Sequence, residues 1–571
     1  MVNLDSQMQI FSLKIGGQAG QGIKSAGLML AKVATRSGYN IYTYTEYPSL
    51  IRGGHNIMQI CIDKDPVTAP QKHTNFLIAL NQETIDKHLE ELIPNSFVLF
   101  DGSDGLDTSK ISKEVNLLPV PLSELAIKAD GSKIMLNTVA LGSAIALLGG
   151  DLEILNNLIN ESFTGEIAEQ NIKAAKAGFD FVQQTFKEKI LSTLNPLENI
   201  TAKMIVNGNE AIALSAIASG LQYAAIYPMT PTSNILTVLA ENQQKYRFIY
   251  KQPEDEIAAI NMAIGASFAG CRSMVATSGG GFCLMAEGYG LAANIETPLV
   301  IIEGMRPGPA TGLPTWSDQG DLKMMLHAHQ GDFPRIVLAA GDSEEAFNLT
   351  RQAFDIADKF QTPVILIVDK NICEGDQSYP IFAQNKEEVN RGKFSTEKIN
   401  DYKRFADSPD GVSLRSIPGS GNFFIGNSDE HDEYGYSTES SDARIASMQK
   451  RMSKNDSFLK EMPKQQMFGP KEADLTIISW GSNKGAILQA IKSFENVNFL
   501  HITHMSPFPL DAKEILDNAK ILLDIECNFS GQLAEVIREK TGIEISNKLL
   551  KYDGRPIYPE EVIEKIKELL K

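Results

Sequence analysis

The apolar positions of this chain fall into short continuous runs separated by longer amphipathic stretches. Between residues 1 and 195, five runs predict strands at 9–15, 40–44, 56–62, 75–79 and 97–100. Amphipathic stretches with helical spacing lie between the runs, for example at 22–37. Strands that alternate with helices favour an α/β domain with a largely parallel sheet.

The same alternation returns twice further along the chain. Residues 196–385 carry Val- and Ile-rich runs at 224–227, 273–276, 298–304, 335–339 and 363–368. Such runs are typical of parallel strands that are covered on both faces. Residues 469–571 add runs at 475–480, 497–502 and 521–526. We therefore predict three α/β domains with mostly parallel sheets.

Residues 386–468 interrupt this pattern because they are polar and rich in turn-forming residues. A connection of this length is usually functional, bound at an interface, or disordered. We predict a polar connector that acts as an interface loop. One amphipathic helix is predicted at about 443–454, with Ile445, Met448 and Met452 on one face.

Length and charge narrow the class of protein. The chain has 571 residues and a net charge of −18, from 53 basic and 71 acidic side chains. This balance argues against a nucleic-acid surface or an anionic membrane surface, both of which need basic patches. No apolar run approaches the roughly 18 residues that suggest a membrane span, and no signal-peptide pattern is visible. The sequence therefore predicts a cytoplasmic location.

Five cysteines are scattered along the chain, at positions 61, 271, 283, 373 and 527. None belongs to a Cys-x-x-Cys pair, and an odd number of separated thiols fits a reduced protein. The spacing does not match that of an iron–sulfur cluster motif. If this protein handles electrons through such clusters, another chain must carry them.

The segment Tyr227-Pro-Met-Thr-Pro-Thr-Ser-Asn234 is the most informative candidate for a site. It follows a predicted strand, and its two prolines fix the backbone of a turn. The hydroxyls of Thr230, Thr232 and Ser233 are predicted at the mouth of the strand, where open α/β sheets bind ligands. By itself, a Pro-Thr-Pro segment is more often only a turn.

Two charged residues are further candidates. Glu256 closes a run of three acidic residues where Pro253 suits a first helical position. The simpler reading of Glu256 is an acidic first turn of a buried helix. Arg306 follows the strand at 298–304, and its guanidinium suits a carboxylate. The alternative is a surface ion pair of Arg306 with Asp318 or Glu303.

Two glycine-rich segments also follow predicted strands. Ser278-Gly-Gly-Gly281 is predicted to form a loop that a ligand can approach closely, although a tight turn explains it equally well. Gly16-Gly-Gln-Ala-Gly-Gln-Gly22 opens a predicted helix, where anions bind. Its spacing differs from the G-x-G-x-x-G dinucleotide fingerprint, and a structural role for each glycine is equally consistent.

The turn at 227–234 resembles the Tyr-Pro-Ile-Thr-Pro-Ser-Ser signature of the 2-oxoacid:ferredoxin oxidoreductases, with Met in place of Ile. Three other segments are similar to α subunits of the 2-oxoglutarate type: Gly308-Pro-Ala-Thr-Gly-Leu-Pro-Thr315, Gly331-Asp-Phe-Pro-Arg335 and Asp429-Glu-His-Asp-Glu-Tyr-Gly435.

The resemblance extends over nearly the whole chain and implies a fused γ–α subunit. Residues 1–195 look like the γ domain, through Gly16–Gly22 and Glu46-Tyr-Pro-Ser-Leu-Ile-Arg-Gly-Gly-His-Asn56. Residues 196–385 look like the pyrimidine-binding domain of thiamine diphosphate enzymes. Residues 469–571 look like a transketolase C-terminal-type domain, through Ile525-Glu-Cys-Asn-Phe-Ser-Gly-Gln-Leu533.

The resemblance also implies roles for particular residues. Glu256 would be the catalytic residue, sharing a proton with the aminopyrimidine ring of thiamine diphosphate. Arg306 follows Glu256 by 50 residues, the spacing of the family's substrate arginine. Substrate binding is implied for Thr230, Arg306 and Thr315. Cofactor binding is implied for Glu256, Pro228, Thr277, Ser278 and Gly279.

The implied reaction is the oxidative decarboxylation of a 2-oxoacid with coenzyme A to acyl-CoA, CO2 and reduced ferredoxin. The substrate is expected to be 2-oxoglutarate, with pyruvate or a branched-chain 2-oxoacid as the alternative. Two other classes stay open, a non-catalytic scaffold subunit and a Rossmann-type nucleotide-binding oxidoreductase.

The chain lacks both a Mg–diphosphate motif and cluster cysteines. The resemblance therefore implies a separate β subunit that carries Mg²⁺ and a [4Fe-4S] cluster and shares the thiamine diphosphate. The expected assembly is a heterodimer or a dimer of heterodimers, with ferredoxin as a further partner.

Overall fold

A computed structural model describes residues 10–50, 53–130, 132–382 and 389–571. The start of the first predicted strand, residues 51 and 52 of the γ-like segment, and the first residues of the predicted connector lie outside this part. The chain divides into two compact units. The first contains Met1–Val206, Gly375–Ala383 and Tyr558–Glu560, and the second contains Asn207–Glu374, Gln384–Ile557 and Glu561–Lys571.

The strands are β1 (Phe11–Gln18), β2 (Asn40–Glu46), β3 (His55–Asp63), β4 (Thr74–Ala79), β5 (Leu92–Asp101), β6 (Asn116–Val120), β7 (Lys203–Val206), β8 (Tyr223–Ala225), β9 (Ile249–Lys251), β10 (Ser273–Ser278), β11 (Leu299–Met305), β12 (Ile336–Ala339), β13 (Pro363–Asp369), β14 (Gln377–Pro380), β15 (Gln466–Phe468), β16 (Leu475–Ser479), β17 (Val497–His501), β18 (His504–Ser506), β19 (Ile521–Glu526) and β20 (Asn547–Leu550).

The helices are α1 (Ile23–Arg36), α2 (Gln82–His88), α3 (Leu122–Asp130), α4 (Leu136–Leu147), α5 (Leu152–Ser162), α6 (Glu166–Thr185), α7 (Gly208–Ala218), α8 (Ser233–Tyr246), α9 (Glu256–Phe268), α10 (Gly279–Asn294), α11 (Leu322–His327), α12 (Ser343–Phe360), α13 (Lys370–Glu374), α14 (Ser441–Leu459), α15 (Asn483–Ile491), α16 (Leu510–Asp517), α17 (Gln532–Thr541) and α18 (Pro559–Leu569). Short 3₁₀ turns occur at Leu89–Glu91, Lys133–Met135 and Lys187–Lys189.

Within its described residues, the first unit contains one eight-stranded sheet in the order β6-β5-β4-β1-β3-β2-β14-β7. The pairs from β6 to β1 are parallel, as the alternating pattern predicts. The pairs from β1 to β7 are antiparallel. The connection between β2 and β3 is too short for the crossover that a parallel pair requires. This half of the sheet therefore departs from the predicted parallel pairing.

The second unit contains two sheets among its described residues, in the orders β18-β12-β13-β11-β10-β8-β9 and β15-β17-β16-β19-β20. Both are parallel except at one edge, β18 in the first and β15 in the second. Central strands are covered on both faces, since Val300 belongs to one hydrophobic core and Ile301 to the other. The predicted α/β class with mostly parallel sheets is confirmed.

The predicted connector helix is present as α14, and most of its buried side chains are charged. Ile445 is 55% exposed, whereas Lys450 and Lys454 are buried. Their ammonium groups each lie 2.6 Å from the carboxylate of Glu296, which is 1% exposed. A buried carboxylate requires compensating charge, so this helix turns cations inward where a periodicity argument expects apolar side chains.

A second buried carboxylate, Asp358 of α12, binds the polar connector in the same way. Arg391 and Arg415 of the connector pair with it at 2.8 and 3.2 Å. Arg272, which precedes β10, pairs with it at 2.7 Å. The connector is therefore attached to the second unit through charges that are removed from water.

Electrostatics at Glu296 follow from this arrangement. Burial alone would raise the pKa of this carboxyl, but Lys450, Lys454 and Arg404 outweigh burial and hold the pKa below its ordinary value. The carboxylate form is therefore kept at neutral pH.

In the described part of the chain, no helix has the length and apolar character needed to cross a bilayer.

We expect Glu296→Gln to destabilise the protein, because it leaves two buried ammonium groups without a counter-charge. Removing one partner of a buried pair costs about 3 kcal/mol or more. The exposed pair of Lys513 and Asp517 provides the control, because its loss costs at most about 1 kcal/mol. Thermal unfolding of Glu296→Gln and Asp517→Asn measures both effects, and equal shifts in Tm would contradict the assignment.

Candidate active site

The candidate site lies at the carboxyl ends of β8, β10 and β11, where open parallel sheets bind ligands. The turn after β8 is fastened to β10. The hydroxyl of Thr232 donates to the carbonyl oxygens of Met229 at 3.0 Å and of Thr277 at 3.3 Å. Thr232 is fully buried. Its hydroxyl therefore bonds within the protein at the carboxyl ends of β8 and β10 and is closed to solvent.

The fastened turn presents Thr230 to Arg306. The Nη1 atom of Arg306 donates to the carbonyl oxygen of Thr230 at 2.8 Å, and both side chains are partly exposed. Among the described residues, neither Asp318 nor Glu303 forms an ion pair with Arg306. Burial lowers the pKa of Arg306, and the negative charge of Asp321 offsets part of this effect. The Thr230 carbonyl thus holds one edge of the guanidinium, while the rest of the group stays partly exposed at the carboxyl ends of the strands.

Glu256 is the first residue of α9. Asp255 is the N-cap and accepts a hydrogen bond from the backbone N–H of Ala258 at 2.7 Å. Pro253 therefore precedes the helix, and its predicted first helical position is wrong. The Glu256 side chain is 3% exposed, and its Oε1 atom has no hydrogen-bond partner in the described structure. A buried oxygen of this kind is costly unless a ligand supplies a donor.

Glycine is required where α10 meets this carboxyl. Because α10 begins directly after β10, Gly279 to Gly281 form a helical turn and not the predicted loop. A Cβ on Gly281 would lie 2.6 Å from Glu256 Oε1 and 2.1 Å from Thr277 Oγ1. The structure therefore brings Glu256 and Thr277 together around Gly281.

Other predicted residues surround this centre at different depths. Pro228 is exposed on the turn after β8. Ser278 is fully buried, and its Oγ atom has no hydrogen-bond partner in the described structure. A Cβ on Gly279 would lie 2.4 Å from the carboxylate of Asp321. Thr315 is buried in the loop between β11 and α11.

The sequence does not single out Asp321, and it suggests Glu303 only as a surface partner of Arg306, whereas Glu303 is fully buried. Glu303 interrupts the apolar run of β11, and Asp321 precedes α11. The acidic Glu303 within the otherwise uncharged run of β11 is the sequence signal that could have identified it as a candidate site residue. Burial, with Asp321 nearby, also raises the pKa of Asp318 to about 7. Among the described residues, no group of three His, Cys, Asp or Glu side chains is arranged to hold a metal ion.

The glycine-rich segment of the first unit has the predicted context. Strand β1 ends at Gln18, and α1 begins at Ile23. The N-cap of α1 is Gly22, which has a φ of 71° and supplies no side-chain cap. Such a helix terminus leaves backbone N–H groups available.

Two family models match the chain. The model described as "Pyruvate flavodoxin/ferredoxin oxidoreductase, thiamine diP-bdg" matches residues 215–450, and "Pyruvate ferredoxin/flavodoxin oxidoreductase" matches residues 12–181. Together they define a class, that of oxidoreductases with a thiamine diphosphate-binding domain. The first match contains Glu256, Thr277 and Arg306.

Similarity to individual proteins extends further. The α subunit of a 2-oxoacid:ferredoxin oxidoreductase from Saccharolobus solfataricus is 33% identical, over 98% of each chain. The 2-oxoglutarate oxidoreductase subunit KorA of Mycobacterium tuberculosis is 28% identical, over 96% of this chain and 90% of that one. The 2-oxoglutarate:ferredoxin oxidoreductase of Magnetococcus marinus, solved with 2-oxoglutarate, coenzyme A and succinyl-CoA bound, superposes with a TM-score of 0.93 at 29% identity, covering 99% of this chain and all of that one.

Near-complete coverage at this identity decides the family. The chain belongs to the α subunits of 2-oxoacid:ferredoxin oxidoreductases. It is therefore a subunit of an oxidoreductase complex, and the resemblance inferred from the sequence is confirmed.

We expect Gly281→Ala to impair the oxidoreductase, because the added methyl group displaces Glu256 or Thr277. A displacement of about 1 Å at a reacting group lowers activity on the order of 100-fold. Gly280→Ala is the matched control, since its Cβ meets nothing nearer than the Ala310 carbonyl oxygen at 4.0 Å. Activity of the assembled enzyme and Tm are measured for both variants. Equal activities would show that the approach of Glu256 to Gly281 is unimportant.

Proposed function

We propose that this chain is the catalytic γ–α subunit of an enzyme that decarboxylates a 2-oxoacid oxidatively. The products are acyl-CoA, CO2 and reduced ferredoxin. The observation that carries the proposal is the Oε1 atom of Glu256, which is buried without a donor beside a helix that has glycine at the point of contact.

The residues present fit thiamine diphosphate. Glu256, Thr277, Ser278 and Gly279 would hold its aminopyrimidine side, with Pro228 at the edge. When bound, the cofactor supplies the nucleophile and the electron sink for cleavage of the bond to the carboxylate. Glu256 would exchange a proton with the aminopyrimidine ring through Oε1, and its burial would exclude competing water.

Arg306 is proposed to bind the carboxylate of the 2-oxoacid. Its bond to the Thr230 carbonyl uses Nη1, so other N–H groups of the guanidinium stay available for two parallel hydrogen bonds. The Thr230 hydroxyl and Thr315 complete the proposed substrate contacts. Relatives named for 2-oxoglutarate support this substrate. Pyruvate and branched-chain 2-oxoacids are the alternatives that an assay separates.

A β subunit is proposed to carry Mg²⁺ and a [4Fe-4S] cluster and to complete the thiamine diphosphate site. The α-subunit names of the relatives support a partner chain. Ferredoxin is the proposed electron acceptor. Coenzyme A is the proposed co-substrate, and a relative binds it. The division into a γ domain at 1–195, a pyrimidine domain at 196–385, a connector at 386–468 and a C-terminal domain at 469–571 belongs to this proposal.

We expect Glu256→Gln to abolish 2-oxoacid oxidation by the complex, because the amide cannot exchange a proton with the cofactor. The assay is dye reduction that depends on coenzyme A and a 2-oxoacid, after co-expression with a β subunit. Glu254 lies two residues before Glu256, outside α9, and is exposed, so the control Glu254→Gln should keep wild-type activity. Activity that survives in Glu256→Gln would remove this residue from catalysis and favour a scaffold subunit.

We expect Arg306→Lys to raise the KM for the 2-oxoacid about tenfold, because an ammonium group cannot form two parallel bonds to a carboxylate. The exposed Arg247, changed to Lys, is the control and should leave KM unaltered. Measuring kcat/KM for 2-oxoglutarate, pyruvate and a branched-chain 2-oxoacid ranks the substrates. An unchanged KM in Arg306→Lys would place carboxylate recognition elsewhere.

A further inference from the structure

The five-stranded sheet of the second unit has a crevice that the proposed reaction does not use. It lies at the carboxyl ends of β16 and β19, which are parallel neighbours with Ser479 opposite Ile525. The chain places β17 on one side of β16 and β19 on the other, so the strand order reverses between β16 and β19. Open α/β sheets bind their ligands in the crevice at such a reversal.

The side chain of Gln319 fills this crevice. Gln319 belongs to the 306–321 loop, which connects β11 with α11, and it is fully buried. Its Nε2 atom donates to the carbonyl oxygen of Trp480, directly after β16, at 3.0 Å. Its Oε1 atom accepts from the backbone N–H of Cys527, directly after β19, at 2.9 Å. The amide group thus bridges the two strand ends in the manner of a bound ligand.

The crevice is complementary to an amide group. The Nδ2 atom of Asn483 also donates to Gln319 Oε1, at 2.7 Å, so this oxygen accepts two hydrogen bonds. A Cβ on Gly481 would lie 2.3 Å from Gln319 Nε2, so position 481 has no room for a side chain. An apolar side chain at position 319 would deprive the buried donors of Asn483 and Cys527 of this acceptor, which is costly. The contacts therefore select glutamine by its chemistry as well as by its volume.

The backbone around Gln319 is fastened to the same sheet. The N–H of Gln319 donates to the carbonyl oxygen of Cys527 at 2.7 Å. The carbonyl oxygen of Gln319 accepts from Asn528 Nδ2 at 3.2 Å. Two residues earlier, the N–H of Ser317 donates to the carbonyl oxygen of Gly554 at 3.0 Å. The second half of the 306–321 loop is therefore held by main-chain bonds as well as by the glutamine side chain.

Gln532, the first residue of α17, holds the end of the loop. Its Nε2 atom donates to the carbonyl oxygen of Gly320 at 2.6 Å. Its Oε1 atom accepts from the N–H of Lys323 at 2.9 Å. A single partly exposed side chain therefore fixes the passage from the loop into α11.

These bonds determine the position of Thr315. The first half of the loop closes on itself, because the N–H of Leu313 donates to the carbonyl oxygen of Pro307 at 3.0 Å. Thr315 is buried between this turn and the bonds of Ser317 and Gln319. Each residue has only two soft backbone dihedral angles, so so short a segment cannot move while both of its ends are held.

We propose that the crevice between β16 and β19 is the receptor for Gln319, and that Gln319 is a positioning residue that sets Thr315 for the 2-oxoacid. The second part rests on the substrate contact proposed for Thr315. Gln319 acts through the loop and touches no reacting atom. The five-stranded sheet, which supplies none of the proposed catalytic or binding side chains, thereby takes part in substrate recognition.

Hydrogen–deuterium exchange of the full chain tests the anchor without any activity. We expect Gln319→Met to raise backbone exchange in residues 313–323 about tenfold, because the side-chain bonds to Trp480, Asn483 and Cys527 are lost. Unchanged exchange in Gln319→Met would overturn the anchor.

Asn498→Leu is the matched control for this measurement. Asn498 is a buried amide near the opposite end of the same sheet, where its Nδ2 atom donates to the carbonyl oxygen of Pro470 at 3.1 Å. Its loss should lower Tm and leave exchange in residues 313–323 at the wild-type rate. Equal acceleration in both variants would show a general loosening of the sheet and would overturn the specific anchor.

Gln532→Ala supplies a second test if Gln319→Met folds poorly, because Gln532 is partly exposed. Its loss removes the bonds to Gly320 and Lys323 and should raise exchange in residues 313–323 about threefold. An unchanged rate in this variant would overturn the fastening of the loop to the five-stranded sheet.

The positioning role is tested in the assembled enzyme. We expect Gln319→Met to raise KM for the 2-oxoacid about tenfold, while kcat and the KM for coenzyme A change less, because a displaced Thr315 weakens substrate binding. Asn498→Leu should leave both KM values unaltered. Faster exchange with an unchanged KM for the 2-oxoacid would overturn the positioning role. An inactive wild-type complex would count against the proposed function instead, since the exchange result does not depend on it.

Discussion

The buried carboxylate of Glu296 is the constraint on which the arrangement of the second unit depends. It lies just beyond the end of α10, where the helix dipole disfavours negative charge. Lys450 and Lys454 of the connector and Arg404, which donates to the Glu296 carbonyl oxygen, hold it there. The connector thereby fixes one end of α10, and the other end of the same helix forms the candidate site.

Helix α10 connects the ion pairs of Glu296 at its C-terminal end with the candidate active site at its N-terminal end. Its first turn lies so close to the carboxylates of Asp321 and Glu256 that a Cβ on Gly279 or Gly281 would clash with them. A shift of α10 along its axis would move both contacts together, because the helix is continuous from Gly279 to Asn294. The polar connector, which the sequence predicts to be an interface loop, is therefore bonded to residues just beyond one end of the helix whose other end lies at the candidate site.

The sequence predicts the regular strands well, because continuous apolar runs are a local signal of parallel strands covered on both faces. It also singles out Glu256 and Arg306, through the family resemblance. It fails where long-range partners invert a local rule. Lys450 and Lys454 are buried because their ammonium groups pair with the buried carboxylate of Glu296. Position 281 requires glycine because Glu256 and Thr277 occupy the space that a Cβ would need. The pairing of β7 with β14 is likewise non-local and invisible in the sequence pattern.

Glu256 and Glu303 show why burial alone does not distinguish a reacting group from a supporting one. Both are buried, and both have an oxygen without a hydrogen-bond partner among the described residues. Burial raises the pKa of the Glu303 carboxyl well above its ordinary value, and the charges of Asp321 and Asp369 add to this effect, so a neutral carboxyl is favoured there. The Oε1 atom of Glu256 lies beside Gly281 and Thr277 and has no hydrogen-bond partner among the described residues. An oxygen that its own chain leaves incomplete is the one that a ligand is needed to satisfy.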